Sequence, residues 1–226
     1  QMCIRDRLYL ESKRAIFCWG MGITQHRHGT ANVHMLANLM LARGHIGRPG
    51  AGLAPIRGHS NVQGDRTMGI NELPSPKMLD NIDRVFGIQS PRENGMGVVE
   101  TIKAMAEGRV KVFIGLGGNF AVATPDTEYT QQALRACNLT VHITTKMNRS
   151  HLVCVQDALM LPCLGRTEVD IQKHGPQSIS VEDSMSNVHL SAGRNEPISS
   201  DLLSEPDIIA RIAEATLPKS QIKWRW

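Results

Sequence analysis

The feature that most constrains the fold is an alternation of short apolar runs with helical segments in the middle of the chain. The apolar runs occupy residues 110–114, 139–143 and 158–161, and each favours a buried strand. Between them, residues 126–137 favour a helix and residues 150–154 a helical turn. Strands that alternate with helices are typical of a parallel sheet with helices on its faces, so the sequence predicts an α/β fold.

Other regular elements are predicted on both sides of this region. A strand is expected over residues 15–19, and a helix over residues 31–43 with Thr30 as its cap and Gly44 at its end. Further helices are expected over residues 77–86, 98–108 and 208–216. For the last of these helices, Ser204 is the predicted cap.

Three stretches lack a regular period. Residues 1–7 show neither a helical nor a strand pattern, and residues 163–197 are polar and favour loop or extended structure. Residues 44–76 are rich in glycine and proline without being of low complexity. Because long irregular stretches in compact proteins are usually functional or disordered, we expect this third stretch to carry function.

The composition narrows the classes of function. A formal charge of only +4, scattered basic residues and 4% aromatic residues argue against nucleic-acid binding. No apolar run approaches the roughly 20 residues that span a bilayer, so no membrane insertion is expected. None of the five cysteines forms a C-x-x-C pair, which predicts free thiols in a reducing compartment and no metal ligand.

Three loops that follow predicted strands, at residues 20–25, 115–119 and 144–150, are candidates for ligand binding, because ligands of open α/β sheets bind beyond the carboxyl ends of the strands. Residues 115–119 (GLGGN) would let backbone N–H groups approach a phosphate, and the following helix would add a positive dipole end. Residues 144–150 (TTKMNRS) offer hydroxyl, amide and cationic donors to an anionic nucleotide. A ligand-free turn and a capped helix explain the two segments equally well.

A fourth candidate is the irregular segment at residues 55–64 (PIRGHSNVQG). Arg57 can hold a carboxylate by two parallel hydrogen bonds, and His59 can exchange protons near neutrality. The pair suits oxidation of a small carboxylate, although a structural loop explains the composition as well. His26 and His28 form an H-x-H pair, but without a third ligand nearby they favour exposed or hydrogen-bonded histidines over a metal site.

Three motifs occur in a characteristic order along the first third of the chain. They are WGMGITQ at residues 19–25, GHIGRPGAG at residues 44–52 and PIRGHSNVQG at residues 55–64. Their order and spacing resemble the molybdopterin oxidoreductases, more narrowly the formate dehydrogenase alpha-subunit group and its YdeP-like branch. The resemblance extends over about residues 13–215 and weakens after Pro162.

The resemblance implies Rossmann-like parallel sheets and a bis(molybdopterin guanine dinucleotide) cofactor around molybdenum. Residues 1–58 would end one dinucleotide-binding domain, and residues 59–162 would supply most of a second. Residues 163–226 would return toward the iron–sulfur side of the parent protein. A 4Fe-4S cluster and the molybdenum ligand are expected in the parent, with their ligands outside this segment.

The resemblance also implies site residues. Arg57, facing a substrate carboxylate, and His59 would be catalytic. The implied cofactor-binding residues are Met21, Gly22, Gln25, Gln63, Gly115, Gly117, Gly118, Asn119, Thr144, Thr145, Lys146, Asn148 and Asp157. Two departures stand out: His59 occupies a position that is glutamine in well-known formate enzymes, and residues 115–119 lack the acidic residues found there.

Together these implications predict a fragment of a cytoplasmic, molybdenum-dependent oxidoreductase. The parent would oxidise a small substrate by two electrons, with formate as one candidate, and the fragment alone would be inactive. The resemblance indicates no particular electron acceptor. Two alternatives stay open: a non-catalytic cofactor-binding relative that acts in stress response, and the central domain of a thiamine-diphosphate enzyme.

Overall fold

The computed structural model describes residues 2–153, 155–217, 219 and 222–224. The chain forms two compact units, of which the first comprises Gln1–Gly64 with Val181–Val188 and the second Asp65–Ser180 with His189–Trp226. These units do not coincide with the predicted ranges 1–58, 59–162 and 163–226. The domain division of the parent protein therefore stays a prediction.

The first unit is built on two parallel strands. Strand β1 (Ile16–Trp19) pairs with β2 (Gly52–Pro55), in a register that runs from Ile16 opposite Gly52 to Trp19 opposite Pro55. The helices of this part of the chain are α1 (Met2–Glu11), α2 (Met21–Thr24), α3 (Gly29–Ala42) and α4 (Val62–Thr67), which crosses the unit boundary. The strand predicted over residues 15–19 is thus confirmed.

Three predictions about the first unit are wrong in detail. Residues 1–7, predicted to lack structure, belong largely to α1, where Tyr9 donates a hydrogen bond to the Leu39 carbonyl (2.8 Å) and its ring lies 5.1 Å from that of Phe17. A regular apolar stripe would have predicted this helix from the sequence, but α1 has none and packs through these contacts instead. Residues 44–76 contain β2 and α4, and α3 begins with His28 rather than Thr30 at its cap.

The second unit contains a three-stranded parallel sheet in the order β3 (Val112–Leu116), β4 (Leu139–Thr144), β5 (Asp157–Pro162). Its helices are α5 (Pro76–Phe86), α6 (Val98–Ala106), α7 (Phe120–Ala123), α8 (Thr127–Arg135), a 3₁₀ helix (Arg149–Leu152) and α9 (Glu205–Thr216). All three predicted strands and the predicted helices between them are confirmed.

Helices cover both faces of this sheet. On one face, Met105 of α6 and Leu134 of α8 pack in a cluster against Phe113 of β3. On the other face, Val141 of β4 packs in a cluster with Ile208 of α9. A fully buried side chain of this size contributes about 1.5–3 kcal/mol to stability. The predicted α/β class, with parallel strands and helices on both faces, is confirmed.

The segment after Pro162 contains two hairpins where the sequence predicted loop or extended structure. Strand β6 (Ile171–Gln172) pairs with β7 (Gly175–Pro176), and β8 (Ile179–Glu182) pairs with β9 (Val188–Ser191). The predicted final helix is confirmed as α9. Its predicted cap is also correct, since Ser204 Oγ accepts a hydrogen bond from the Asp207 N–H at 3.4 Å.

Candidate functional site

Two predicted ligand loops of the second unit leave the sheet at the same edge. We call residues 115–119 the glycine loop and residues 144–150 the threonine loop. Strands β3 and β4 are parallel and pair Leu116 with Ile143, so both loops begin at the carboxyl ends of neighbouring strands. The Gly117 N–H also donates to the Ile143 carbonyl at 2.8 Å. The structure therefore brings the predicted residues of the two loops together.

The glycines of the glycine loop have different roles. Gly117 and Gly118 adopt left-handed conformations with φ of 65° and 71°, which side chains other than glycine disfavour. A Cβ at Gly118 would meet no atom within 4 Å, so the backbone there borders open space. At Gly115, a Cβ would lie 3.0 Å from Cε1 of Phe113. A side chain at position 115 would therefore crowd Phe113, whereas Gly118 leaves room for a ligand.

Ser150 holds the glycine and threonine loops together, and the sequence did not single it out. The residue is 1% exposed. Its hydroxyl donates to Asn119 Oδ1 at 2.9 Å and accepts from the Ala121 N–H at 2.9 Å. Its own N–H donates to Asn148 Oδ1 at 2.9 Å. The available signal was the capping pattern that Asn148 begins, with its partner His151 three residues on.

The predicted binding role of Asn148 is only partly available, because its side chain is engaged within the protein. Its Nδ2 donates to the Gly118 carbonyl at 2.6 Å, and the His151 Nδ1 accepts from its backbone N–H at 2.8 Å. His151 in turn lies edge-on to His142, with 4.9 Å between ring centroids. Burial, with a smaller contribution from His151, lowers the pKa of His142. Asn148 therefore fixes the shape of the loops.

Two cations of the threonine loop face solvent. Lys146 and Arg149 are exposed, and within the described part of the chain neither side chain forms an ion pair. Thr145 is also exposed, whereas the Thr144 hydroxyl donates to the Lys146 carbonyl at 2.9 Å. Helix α7 is a single turn of four residues, so the expected dipole contribution is small. Backbone donors beside two cations suit a phosphate-bearing ligand.

Asp157 does not join these loops. It is the first residue of β5 and pairs with Leu139, the first residue of β4. The loops leave the opposite end of the sheet, about 16 Å away at 3.3 Å per residue of strand. A cofactor role for Asp157 stays a prediction that the loop geometry does not support.

The first unit has a corresponding pair of loops at its sheet edge. We call residues 20–25 the methionine loop and residues 56–63 the arginine loop, and they follow the paired ends of β1 and β2. A Cβ at Gly58 would lie 3.0 Å from the Met21 Cε, and Gln25 Nε2 donates to the Met21 Sδ at 3.5 Å. The Gly22 carbonyl bonds His26 Nε2 at 2.6 Å. The structure thus places the predicted residues of both loops at one edge.

Glu182 organises the arginine loop. It is 8% exposed, and its N–H donates to Asn61 Oδ1 at 2.9 Å. Its carbonyl accepts from Arg57 Nη1 at 2.6 Å, and its Oε1 accepts from Gln63 Nε2 at 3.0 Å. Gln63 also donates to the Ser186 hydroxyl at 3.1 Å. Glu182 lies more than a hundred residues further along the chain, so no local pattern could reveal it.

The two predicted catalytic residues differ in how they are held. Arg57 is half-buried and fixed by the Glu182 carbonyl, but a guanidinium has five N–H donors and can still bind an anion. His59 is exposed, and its ring forms no hydrogen bond with any residue that the structure describes. The loop can therefore present a fixed cation together with an exposed imidazole.

The described residues show no metal-binding group and no membrane-spanning helix. Those residues contain no group of three or more His, Cys, Asp or Glu side chains placed to hold a metal ion. They also contain no helix that is both long and apolar enough to cross a membrane.

Burial, together with Glu205 and Glu168, raises the pKa of Cys163 to about 11, which keeps it a thiol. Cys154 lies outside the described residues.

Comparison with known proteins decides the family. Residues 7–154 match the model for molybdopterin oxidoreductases, a range that contains all four loops. The chain belongs to the molybdopterin oxidoreductase family. Asp157 and Glu182 lie beyond the matched range.

Several relatives resemble the chain over almost all of its length. An uncharacterized oxidoreductase of Mycobacterium tuberculosis is 53% identical over 96% of this chain, which corresponds to 28% of the relative. The protein YdeP of Escherichia coli is 47% identical over 96% of this chain and 29% of its own length. The chain thus spans less than a third of these relatives.

A more distant relative carries a more specific name. A putative formate dehydrogenase of Bacillus subtilis, YrhE, is 29% identical over 54% of this chain and 13% of its own length. The family implies a molybdopterin cofactor, and the relatedness to a protein with a formate dehydrogenase name is distant. The family match leaves the thiamine-diphosphate alternative without support.

Proposed function

We propose that the chain is part of a molybdenum-dependent oxidoreductase that oxidises a small substrate by two electrons. In this member of the family, both pairs of loops occupy the same position relative to their sheets, and that observation carries the proposal. Both parallel sheets place their candidate loops at the carboxyl ends of adjacent strands. That edge is where ligands of open α/β sheets bind.

The loops of the second unit fit a phosphate-bearing cofactor. Gly118 borders open space, and Lys146 and Arg149 are exposed cations without a carboxylate partner among the described residues. The two cations would hold the phosphates of a molybdopterin guanine dinucleotide. Ser150 would keep the two loops in a fixed relative position. Asn119 and the exposed Thr145 would add side-chain donors.

The loops of the first unit would serve the pterin and the substrate. The exposed side chains of Met21 and Gln25 would contact a pterin of a bis(molybdopterin guanine dinucleotide) cofactor. The bound cofactor would supply a molybdenum centre as the two-electron acceptor. Arg57 would orient a substrate anion through its remaining N–H donors, and His59 would accept or relay the released proton.

The substrate proposal is a small carboxylate, with formate as the first to test. The YrhE relationship and the charge of Arg57 favour it, whereas His59 in place of the usual glutamine indicates an altered substrate or proton path. We further propose a cytoplasmic parent with a 4Fe-4S cluster whose ligands lie outside this segment.

Cofactor analysis of the purified full-length protein tests the proposal. We expect molybdenum together with a pterin that releases a guanine nucleotide on acid treatment. A folded protein that contains neither after expression with molybdate would contradict the proposal. A cofactor-loaded protein that is inert toward formate and other small oxidisable anions would favour the non-catalytic relative.

Turnover with an artificial electron acceptor tests the role of Arg57. Arg57→Lys keeps the charge but loses the planar fork, so we expect kcat/KM to fall by about 10²-fold, with Arg57→Ala lower still. Arg84→Lys, an exposed change on α5, is the matched control and should leave turnover unchanged. Equal turnover of Arg57→Lys and the unmodified protein, at equal molybdenum content, would overturn the assignment.

A further inference from the structure

A basic pocket lies in the first unit, away from both pairs of loops. Its cavity of about 470 Å³ is lined by Lys13, Arg14, Arg43 and Arg48, with Glu11 as the single carboxylate. That volume falls in the range of small-molecule sites, which is about 300–1,000 Å³. The lining is therefore strongly cationic.

The pocket is at the opposite end of the first sheet from the arginine loop. Lys13 and Arg14 precede β1, and Arg48 precedes β2, whereas the methionine and arginine loops follow these strands. Each strand has four residues, which separates its two ends by about 10 Å. A ligand in the basic pocket would thus be distinct from the cofactor proposed above.

Two arginines of the pocket are held in place by backbone carbonyls. Arg43 Nη2 donates to the Leu10 carbonyl at 2.5 Å and to the Ser12 carbonyl at 3.3 Å. Arg48 Nη1 donates to the Lys13 carbonyl at 2.7 Å. These bonds fix the guanidinium groups without neutralising them. Each keeps further N–H donors for a ligand.

The four cations lack carboxylate partners in the part of the chain that the structure describes. Neither Lys13 nor Arg14 forms an ion pair there, and the bonds of Arg43 and Arg48 go to carbonyl groups. The Arg14 side chain passes beside Gly50, where a Cβ would lie 3.5 Å from the Arg14 Cδ. All four side chains are exposed, and a bound anion would reduce their mutual repulsion.

His45 adds an independent indication of a ligand. It lines the pocket, is 1% exposed, and has no hydrogen-bond partner at either Nδ1 or Nε2. Its ring packs on that of Tyr9, with 5.6 Å between centroids. A neutral imidazole always carries one N–H donor, and a buried donor without an acceptor is costly. Both ring nitrogens are closed to solvent, so a bound anion would supply the missing acceptor after a small movement of the His45 side chain.

We propose that the basic pocket is a binding site for a small phosphate-bearing anion. Four cations against one carboxylate match a doubly charged phosphate better than a single carboxylate. Guanidinium groups bind phosphate oxygens through pairs of parallel hydrogen bonds. The ligand is either inorganic phosphate or the phosphate group of a small metabolite.

Isothermal titration of the chain with sodium phosphate, glycerol 3-phosphate and succinate tests the proposal. Phosphate or the monoester should bind with a dissociation constant below about 1 mM, at least about tenfold tighter than succinate. Tighter binding of the monoester would identify a phosphorylated metabolite as the source, and equal binding would identify the free ion. Succinate binding as tightly as phosphate would overturn the proposal.

Three variants locate the binding site. Arg14→Gln should weaken phosphate binding about tenfold, and it breaks no internal hydrogen bond of the described residues. His45→Phe keeps the packing on Tyr9 but removes the N–H, so phosphate binding should weaken while the melting temperature does not fall. Arg27→Gln removes one exposed cation elsewhere in the unit and should change binding less than twofold.

Melting curves separate loss of binding from loss of folding. Phosphate should raise the melting temperature of the unmodified chain and of Arg27→Gln, but not that of Arg14→Gln. An equal rise in all three would mean that phosphate acts elsewhere and would overturn the assignment. Because the site lies apart from the proposed cofactor loops, its outcome does not depend on molybdenum loading.

Discussion

At the sheet edge of the second unit, Ser150 is almost fully buried, and its hydroxyl joins the two loops through Asn119. Two further hydrogen bonds link Ser150 to Ala121 of α7 and to Asn148 of its own loop. At the sheet edge of the first unit, Met21 and His59 face solvent, and the fixed residues surround Glu182. The second edge is preorganised, whereas the first combines a fixed cation with exposed side chains. Rigidity at the second edge suits the proposed binding of a dinucleotide. The proposed substrate site at the first edge needs hydrogen-bond donors that remain available.

The largest expected effect is at Ser150. Ser150→Ala leaves the buried Ala121 N–H and the partly buried Asn119 Oδ1 without their partner, so the free energy of unfolding should fall by about 2–3 kcal/mol. Urea titration followed by circular dichroism measures this change. Thr145→Ala, an exposed change in the same loop, is the control and should stay within about 0.5 kcal/mol. Equal free energies of unfolding for Ser150→Ala and Thr145→Ala would contradict the greater rigidity inferred for the second edge.

A smaller effect is expected for the corresponding residue of the first unit. Asn61→Ala removes the acceptor of the Glu182 N–H, and we expect a loss of about 1 kcal/mol in the free energy of unfolding. The same urea titration measures it, with the exposed Asn38→Ala as control. A loss equal to that of Ser150→Ala would show that both edges are equally rigid.

The pH dependence of stability should reveal His142. Burial lowers its pKa below the ordinary value of 6.5, so the unfolded chain takes up the proton first as the pH falls. Its contribution is therefore complete above pH 6.5 and is lost progressively below it. We expect His142→Phe to flatten the decline in unfolding free energy below pH 6.5. An unchanged decline would show that other groups cause it.

The smallest effect on stability is expected at His59. Because its exposed ring forms no hydrogen bond with described residues, His59→Gln should change the free energy of unfolding by less than about 0.5 kcal/mol. In the cofactor-loaded full-length protein, the same variant should alter the pH profile of kcat. A pH profile identical to that of the unmodified protein would exclude His59 from proton transfer.

The sequence predicted the second unit well because its signals are local. The strands are apolar runs, and the helices α8 and α9 begin at Asp126 and Ser204, whose side chains accept backbone N–H groups. Strand β2 was missed because Gly52-Leu-Ala-Pro55 is short and contains two residues that disfavour strands. Helix α1 was missed because its apolar residues form no stripe.

The residues of the candidate site were predicted more fully than their connections. The methionine and arginine loops were recognised by motif, and the glycine and threonine loops by their place after predicted strands. The parallel registers place the members of each pair together. The roles of Ser150 and Glu182 were not predicted. Those roles depend on hydrogen bonds across about 30 and more than 100 residues, which no local period encodes. Asp157 was predicted as a site residue from its place along the chain. In the structure it begins β5, at the end of the sheet opposite the loops.

The hairpin tip Val181–Val188 has a consequence for synthesis of the protein. Arg57 leaves the ribosome 125 residues before Glu182, the residue whose carbonyl fixes its guanidinium. At roughly 5–20 residues per second, the arginine loop waits on the order of 6–25 s for this partner. The second unit's parallel sheet, complete by Pro162, can form during that wait. The order of translation thus supplies the strands that bear the glycine and threonine loops before the Glu182 carbonyl can fix Arg57.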